Sequence, residues 1–569
     1  MMQSKFRSVL FFFILFFLSE SSKAQHRNTG ELDKMIHAGI KRAYSASVKV
    51  MGWDTIRKVQ NSSQFSAAVV SPDGYILTAA HAIQPGRTYK VWFPDGRECL
   101  AVGLGRIDLS ATPTQPDVAM MKIITSGNWP FVEMGWSSAI RKDEPCISIS
   151  YPETLAQPLP SVRFGHITDT LNEWGFFQST CAMEPGDSGG ALYDYKGRLI
   201  GLHSRCDKSE DVNMEIPVDY YREYWTALKT AKTYTTLPEV TDDIKTDPLR
   251  EKLQSFSELN DLATYFGPVA KPLRESELYV LSDVGGVPQK IIGTIIAPGG
   301  LQLRKTPGGS LIISKSSCVG EHVMVNISNG VRVEGKVIAR SEPDDLVLLQ
   351  ISQKLKGGVN IDLSNQDSLT FNSLGTILLS PLIDSLPRIS VVSTMGMNLA
   401  PKFSSGYLGA YVTFSEGKAT VTRVQLNSPA GRNSLRIGDE ISSINGEQLL
   451  KPEDFQRILQ SYRPGQEALF RLNRKGKELV KKIILATKPA SADPNHPAEK
   501  FSGGKSARRD GFIKVFAHDA RLRPEECGGP VFNNLGQFYG INIARYSRTT
   551  TLAVPLLQVS KFLRSALIN

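Results

Sequence analysis

The chain of 569 residues carries its own outline twice. The stretch AAVVSPDGYILTAAH (Ala67–His81) matches GTIIAPGGLQLRKTP (Gly293–Pro307). Each is a β-branched run, a Pro-x-Gly turn and a second strand. VWFPDGRECLAVGLG (Val91–Gly105) matches VNISNGVRVEGKVIA (Val325–Ala339), two hairpins turning on Asp-Gly or Asn-Gly. DVAMMKI (Asp117–Ile123) matches DLVLLQI (Asp345–Ile351), and EPGDSGGALYDYKGRLIG (Glu184–Gly201) matches RPEECGGPVFNNLGQFYG (Arg523–Gly540). Last, a strand and an amphipathic helix at Glu215–Leu228 recur at Ala553–Leu567. Similar blocks in one fixed order imply a duplicated unit, here one built of short strands and turns.

The copies differ in one spacing. Asp117 and Ser188 are 71 residues apart, whereas Asp345 and Cys527 are 182 apart. The excess, about 110 residues, suits one small extra domain in the second copy. The total length likewise suggests roughly three domains of about 100–200 residues.

Composition is that of an ordinary globular protein, with 41% hydrophobic and 21% charged residues. The net charge of +10 comes from dispersed Lys and Arg, with no basic run or aromatic-interleaved stripe, so no nucleic-acid partner is expected. Lys5 and Arg7 precede the apolar run Val9–Leu18, and Ser22-Lys23-Ala24 offers a cleavage site before Gln25. This pattern predicts a signal peptide over residues 1–24 and export to the periplasm, the cell envelope or the medium. The run is shorter than the roughly 20 residues of a membrane span; the competing reading is an uncleaved anchor. The six cysteines are too few for a disulfide framework, and no CxxC pair suggests zinc. No metal and no cofactor is expected.

His81, Asp117 and Ser188 stand in that order in the first copy. A serine hydroxyl is a weak nucleophile and needs an adjacent base. His81 can serve as that base, and Asp117 can hold the imidazole tautomer. The backbone N–H groups of Gly186 and Ser188 can form an oxyanion hole. GDSGG also fits the elbow of α/β hydrolases, but that fold needs strand–helix alternation, and short strands and turns surround the motif here.

TAAH, DVAMMKI and GDSGG together resemble chymotrypsin-like serine proteases. The extra segment resembles a protease-associated PDZ domain through Gly406-Tyr407-Leu408-Gly409, Ser428-Pro429-Ala430, Gly438-Asp439 and Ile444-Asn445-Gly446. With it, the chain is similar to the HtrA (Deg) branch over most of residues 40–230 and 405–488. The resemblance implies an all-β fold: two tandem chymotrypsin-like double β-barrel domains, with a PDZ domain inserted in the second. The implied division is a signal peptide at 1–24, a trypsin-like protease domain at 25–235 and a helical linker at 236–274. A degenerate protease-like domain at 275–400 plus 509–569, the PDZ domain at 404–488 and a flexible linker at 489–508 complete it.

The resemblance also implies the partners. They are protein or peptide substrates and a PDZ ligand with a free C-terminus or an internal extended stretch. Gly406, Tyr407, Leu408 and Gly409 would hold the terminal carboxylate, and the peptide would add as a strand. A homo-oligomer is left open. Ala182 stands where trypsins carry Asp, so a small or medium apolar residue is expected at the cleavage site. His203 and Ser204 are expected on the other pocket wall. For Cys181 and Cys206, a bridge across the pocket and two free thiols both stand. Asp187 departs from the Asn usual in HtrA proteases. In secreted trypsin-like enzymes such an Asp pairs with a freed N-terminus, and no suitable N-terminus is evident here.

The second copy looks catalytically dead. Pro307 aligns with His81 and has no proton to exchange, Cys527 aligns with Ser188, and Asp345 is retained. Glu525 replaces the oxyanion glycine, and Glu525 and Glu526 are expected to raise the cysteine pKa. The expectation is therefore an exported serine endopeptidase. The competing reading is a non-catalytic envelope binding or chaperone-like scaffold.

Overall fold

The computed structural model describes residues 30–109, 117–240, 246–250, 256–299, 308–328, 330–364, 367–488 and 496–568. The signal-peptide segment, Pro307 and residues 489–495 of the expected linker lie outside them.

The first sheet places Ser47–Asp54, Val59–Val69, Tyr75–Ala79 and Val118–Ile123 side by side. Glu98–Ile107 pairs with Thr88–Trp92 on one edge and Val118–Ile123 on the other, which closes the sheet into a ring. Burial along Glu98–Ile107 alternates residue by residue, as a strand with one face inside requires. Val48, Val50, Ile76, Tyr89 and Val91 fill the interior. A second closed barrel follows, from the strands Pro145–Ser150, Ser161–Asp169, Phe177–Ser179, Ala191–Asp194, Leu199–Cys206 and Asn213–Pro217.

The same order returns in the C-terminal half. Glu277–Val284, Val287–Gly299, Ser310–Lys315 and Leu346–Ile351 are neighbours in sequence order. A further sheet runs Ser385–Val391, Ile377–Leu382, Pro530–Asn533, Phe538–Arg545, Thr551–Pro555 and Phe512–His518. Its order corresponds strand for strand to the barrel of the first copy. Met397–Leu399 pairs with Phe512–His518, and the residues between them carry a separate six-stranded sheet with its own core around Val421, Ile444 and Phe470. The buried carboxylate of Asp510 accepts from Lys402 N and Ser404 N, both at 2.9 Å, and so ties the entrance of this segment to its exit.

One expected correspondence is corrected. The strand equivalent to Tyr75–Ala79 is Ser310–Lys315, and the 3-10 turn after it, Ser316–Cys318, matches Ala80–Ala82. Ser317, not Pro307, therefore occupies the place of His81. The cause is loop length: five residues separate Val69 from Tyr75, but fifteen separate their counterparts in strand pairing, Ile295 and Leu311. A gapless match across that loop stops short of the true counterpart.

Candidate active site

His81 sits on the 3-10 turn Ala80–Ala82 and Asp117 immediately before Val118–Ile123, both on the first sheet. Ser188 lies on the loop that enters Ala191–Asp194 of the barrel. The site is thus assembled where the two sheets meet, and Ser66 N donates across that seam to Ser188 O at 3.0 Å.

His81 Nδ1 and Asp117 Oδ2 are 2.7 Å apart, and His81 N donates to Asp117 Oδ1 at 3.0 Å. The second contact fixes the carboxylate plane, and the first orients the ring. Burial alone would raise the Asp117 pKa, but the bonds from His81 and Ser204 hold it below the usual value. Burial would lower the His81 pKa, but the hydrogen bond and charge of Asp117 outweigh it, and the net shift is upward. The His81 side chain is 49% exposed, open to a substrate. Its hydrogen bonds among the described residues both go to Asp117, and none reaches Ser188. Catalytic contacts that tighten only around substrate are common.

The turn before Ser188 has a defined geometry. Asp187 N donates to Glu184 O at 3.0 Å, with Pro185 and Gly186 at the two central positions. Gly186 has φ +96°, the sign that a type II turn requires at its third residue. Types I and II differ by a flip of the central peptide, which carries the Gly186 N–H. A Cβ at Gly186 would stand 2.4 Å from Glu153 N and 2.7 Å from Tyr151 O, so no larger residue fits. Neither Gly186 N nor Ser188 N has a hydrogen-bond partner among the described residues, which leaves both donors available.

These observations meet the comparisons with known proteins. Residues 65–202 match the family model of the trypsin-like peptidase domain, and residues 406–485 match the PDZ domain. A protein of Halomonas elongata described as a probable periplasmic serine endoprotease, DegP-like, is 30% identical over 161 residues, 27% of this chain and 32% of the relative. The chain is HtrA-like.

A Marinomonas protein of the same description is 24% identical over 433 residues, 73% of the HtrA-like chain and 78% of that protein. A solved serine endoprotease from Yersinia pestis aligns at 15% identity and a TM-score of 0.29, over 79% of this chain and 97% of that one. The chain spans about a third of the length of the first curated relatives it matches.

Around His81, Asp117 and Ser188, several residues sit elsewhere than expected. Ser204 donates its hydroxyl to Asp117 Oδ2 at 2.7 Å, the carboxylate that also contacts His81. His203 is fully buried, with Nδ1 2.7 Å from Glu215 Oε2 and Nε2 2.6 Å from Ser148 Oγ. It braces the barrel interior and is no pocket wall. Ala182 lines a cavity of about 350 Å³ with Arg163, Thr180, Asp519 and Arg521. Cys181 Sγ lies 3.8 Å from Cys146 Sγ, not against Cys206, and all six cysteines are thiols.

Asp187 has a partner that sequence reasoning missed. Arg163 Nη1 and Nη2 donate to its two carboxylate oxygens at 2.9 and 3.2 Å, and Ser150 Oγ adds a bond at 2.8 Å. Both charged side chains are essentially fully buried. An internal cation thus partners Asp187, the role the resemblance gave to a freed N-terminus. A lone arginine on a strand gives no sequence signal of this pairing.

In the PDZ loop, Gly406 N is bonded to Tyr462 O at 2.6 Å and Tyr407 N to Ala486 O at 2.8 Å. Those two amides are spent, which corrects the expectation that all four residues hold a carboxylate. Leu408 N and Gly409 N have no partner among the described residues. Ala410–Ser415 is the edge strand of its sheet, with the helix Pro452–Ser461 beside it, so an added strand has both an edge and a wall.

In the second copy, Ser317 N and Oγ contact Asp345 Oδ1 and Oδ2 at 2.7 and 2.8 Å, the two contacts His81 makes with Asp117. Lys315 Nζ, 2.7 Å from Asp345 Oδ2, and Arg508, 3.2 Å from Oδ1, neutralise the acid. Cys527 is buried. Burial pushes its thiol up to about 11 against the opposing charge of Lys315. The expected cause was the adjacent carboxylates, but Glu526 is turned onto Arg523, with its Oε2 2.7 Å from Arg523 N. Pro524–Glu526 forms a 3-10 turn, because Glu525 does not take the positive φ of Gly186. That flips the central peptide, and Cys527 N is spent on Pro524 O at 3.3 Å.

Proposed function

We propose that the chain is an exported serine endopeptidase of HtrA type. Ser188 attacks the peptide carbonyl, His81 takes the hydroxyl proton and returns it to the leaving amine, and Asp117 steadies the imidazolium. Gly186 N–H and Ser188 N–H receive the negative charge that develops on the carbonyl oxygen. The observation that carries this reading is the coexistence of a bonded His81–Asp117 pair with an open type II turn at Gly186.

We infer further that the chain is two tandem double-barrel units with the PDZ domain inserted in the second. The pairing of Met397–Leu399 with Phe512–His518 on either side of the PDZ sheet supports this. The second unit is a scaffold without base or oxyanion hole. The PDZ groove takes an extended peptide beside Ala410–Ser415, with Leu408 N and Gly409 N the donors for a terminal carboxylate. The test is degradation of an unfolded protein by the purified chain, expected to stop in Ser188→Ala and His81→Ala. Degradation that persists in Ser188→Ala would overturn the reading.

A further inference from the structure

The two copies meet through like elements. Ser161–Asp169 of the first lies against Ser385–Val391 of the second, its strand-order counterpart. Asp519 bridges them, accepting from Phe164 N at 3.0 Å and Val391 N at 2.7 Å. The hairpin tips 207–212 and 546–550, also counterparts, touch: Arg548 donates to Ser209 O at 2.5 Å, and Arg545, on the strand that leads into the second tip, donates to Glu210 Oε1 at 3.0 Å.

The contacts from the second copy converge on three segments of the first. On 150–157, Tyr546 Oη donates to Thr154 O at 2.7 Å. On 180–187, the Ser547 hydroxyl lies beside the buried Glu184 carboxylate, and Thr549 Oγ1 accepts from Arg163 Nη2 at 3.4 Å, on the cation that holds Asp187. On 207–213, Arg521 donates to Glu210 O at 2.9 Å, and it reaches back to Thr180 O at 3.2 Å. These same segments shape the surroundings of Ser188. Glu153 N donates to Pro185 O at 2.9 Å, beneath the oxyanion turn, and Asn213 Oδ1 receives Met183 N at 3.2 Å.

We propose that the second copy is a built-in activator of the first: its hairpin 546–550, with Arg521, holds the oxyanion turn and the segments beside it in the catalytic arrangement. This rests on the protease reading above. A loop keeps one conformation only where its partners over-determine it. Here Arg163, Ser150 and Glu153 of the first copy supply part of those partners, and the rest come from a unit that has lost its own chemistry. Retaining the fold while losing the base follows from that division of labour.

The test uses the full chain and two variants, Arg521→Gln and the triple Tyr546→Phe/Ser547→Ala/Thr549→Val. Hydrogen exchange is followed in peptides covering 150–157, 180–190 and 207–213, with Ser47–Asp54 as the internal control. The rate of Ser188 labelling by a fluorophosphonate is measured alongside. Exchange in the three segments should quicken by about tenfold or more with the control unchanged. Labelling and kcat should fall by about tenfold or more, with a smaller change in KM, because the oxyanion donors act on the transition state. Exchange and labelling within about threefold of the unaltered chain in both variants would overturn the proposal. If the unaltered chain takes no label, the protease reading fails and the exchange arm alone decides the positioning role. If the triple variant unfolds, the control peptide reports it, and Arg521→Gln, a partly exposed side chain, decides.

Discussion

Ser204 donates to Oδ2 of Asp117, the same oxygen that lies 2.7 Å from His81 Nδ1. One carboxylate oxygen thus serves both the base and a fixed hydroxyl, which keeps Asp117 from rotating away from the ring. A hydrogen bond to a charged group contributes about 1.5–3 kcal/mol. Ser204→Ala is therefore expected to lower kcat/KM by about tenfold or somewhat more, while Asp117→Asn, which imposes the wrong tautomer, should cost about 10,000-fold. Steady-state kinetics on a peptide substrate checks both; a Ser204→Ala variant with unchanged kcat/KM would remove Ser204 from the triad.

The pH dependence follows from the same pair. His81 acts as a base only when neutral, and its pKa is raised above 6.5. The acid limb of kcat/KM should therefore fall above pH 6.5 and move down in Asp117→Asn. The effect on stability has the opposite sense. A raised His81 stabilises the fold fully below pH 6.5 and loses that contribution as pH rises through its folded value. The lowered Asp117 contributes above its ordinary 3.8 and loses that contribution as pH falls through its depressed value. Melting temperatures of the unaltered chain and His81→Ala across pH 4–9 should differ most at the acid end and converge toward pH 9.

The second site should be silent. With its thiol pushed up to about 11, Cys527 holds only a trace of thiolate at neutral pH, and it is buried. Iodoacetamide at pH 8 should leave Cys527 unmodified in the native chain and alkylate it in urea, as peptide mass spectrometry reports. Cys527→Ser should hydrolyse substrate at the unaltered rate. Fast alkylation, or loss of activity in that variant, would contradict the scaffold reading.

The PDZ loop makes a steric prediction. Gly409 has φ +78°, and a Cβ there would lie 2.1 Å from Ser428 Cβ. Gly409→Val should abolish binding of an extended peptide, measured by fluorescence polarisation. A peptide with a free C-terminus should bind more tightly than its amide if Leu408 N and Gly409 N receive the carboxylate. Equal affinity would point to internal sequences as the ligand.

What could be read from the sequence was whatever is written locally. Period-two strands marked both copies and a Pro-x-Gly turn marked the first, whereas Pro298 and Gly299 of the second continue the strand Val287–Gly299; His81, Asp117 and Ser188 stood out because each lies in a short motif. The counterpart of His81 was not legible, because the loop before Ser310 is longer than the loop before Tyr75 and only strand pairing reveals the shift. Nor was the Arg163–Asp187 pair, since they lie 24 positions apart and barrel closure alone brings them together. Ser204 and His203 are adjacent in sequence, but they point to opposite faces of one strand. Their separate partners, Asp117 and Glu215, exist only once the sheets have packed.

The central claim is that Ser188 is an activated nucleophile in an otherwise single-site chain. Labelling the purified chain with a fluorophosphonate and locating the adduct by peptide mass spectrometry tests it most directly. The account predicts one adduct, on Ser188, absent in His81→Ala and unaffected by Cys527→Ser. A chain that takes no label, or takes it at a residue other than Ser188, would contradict it.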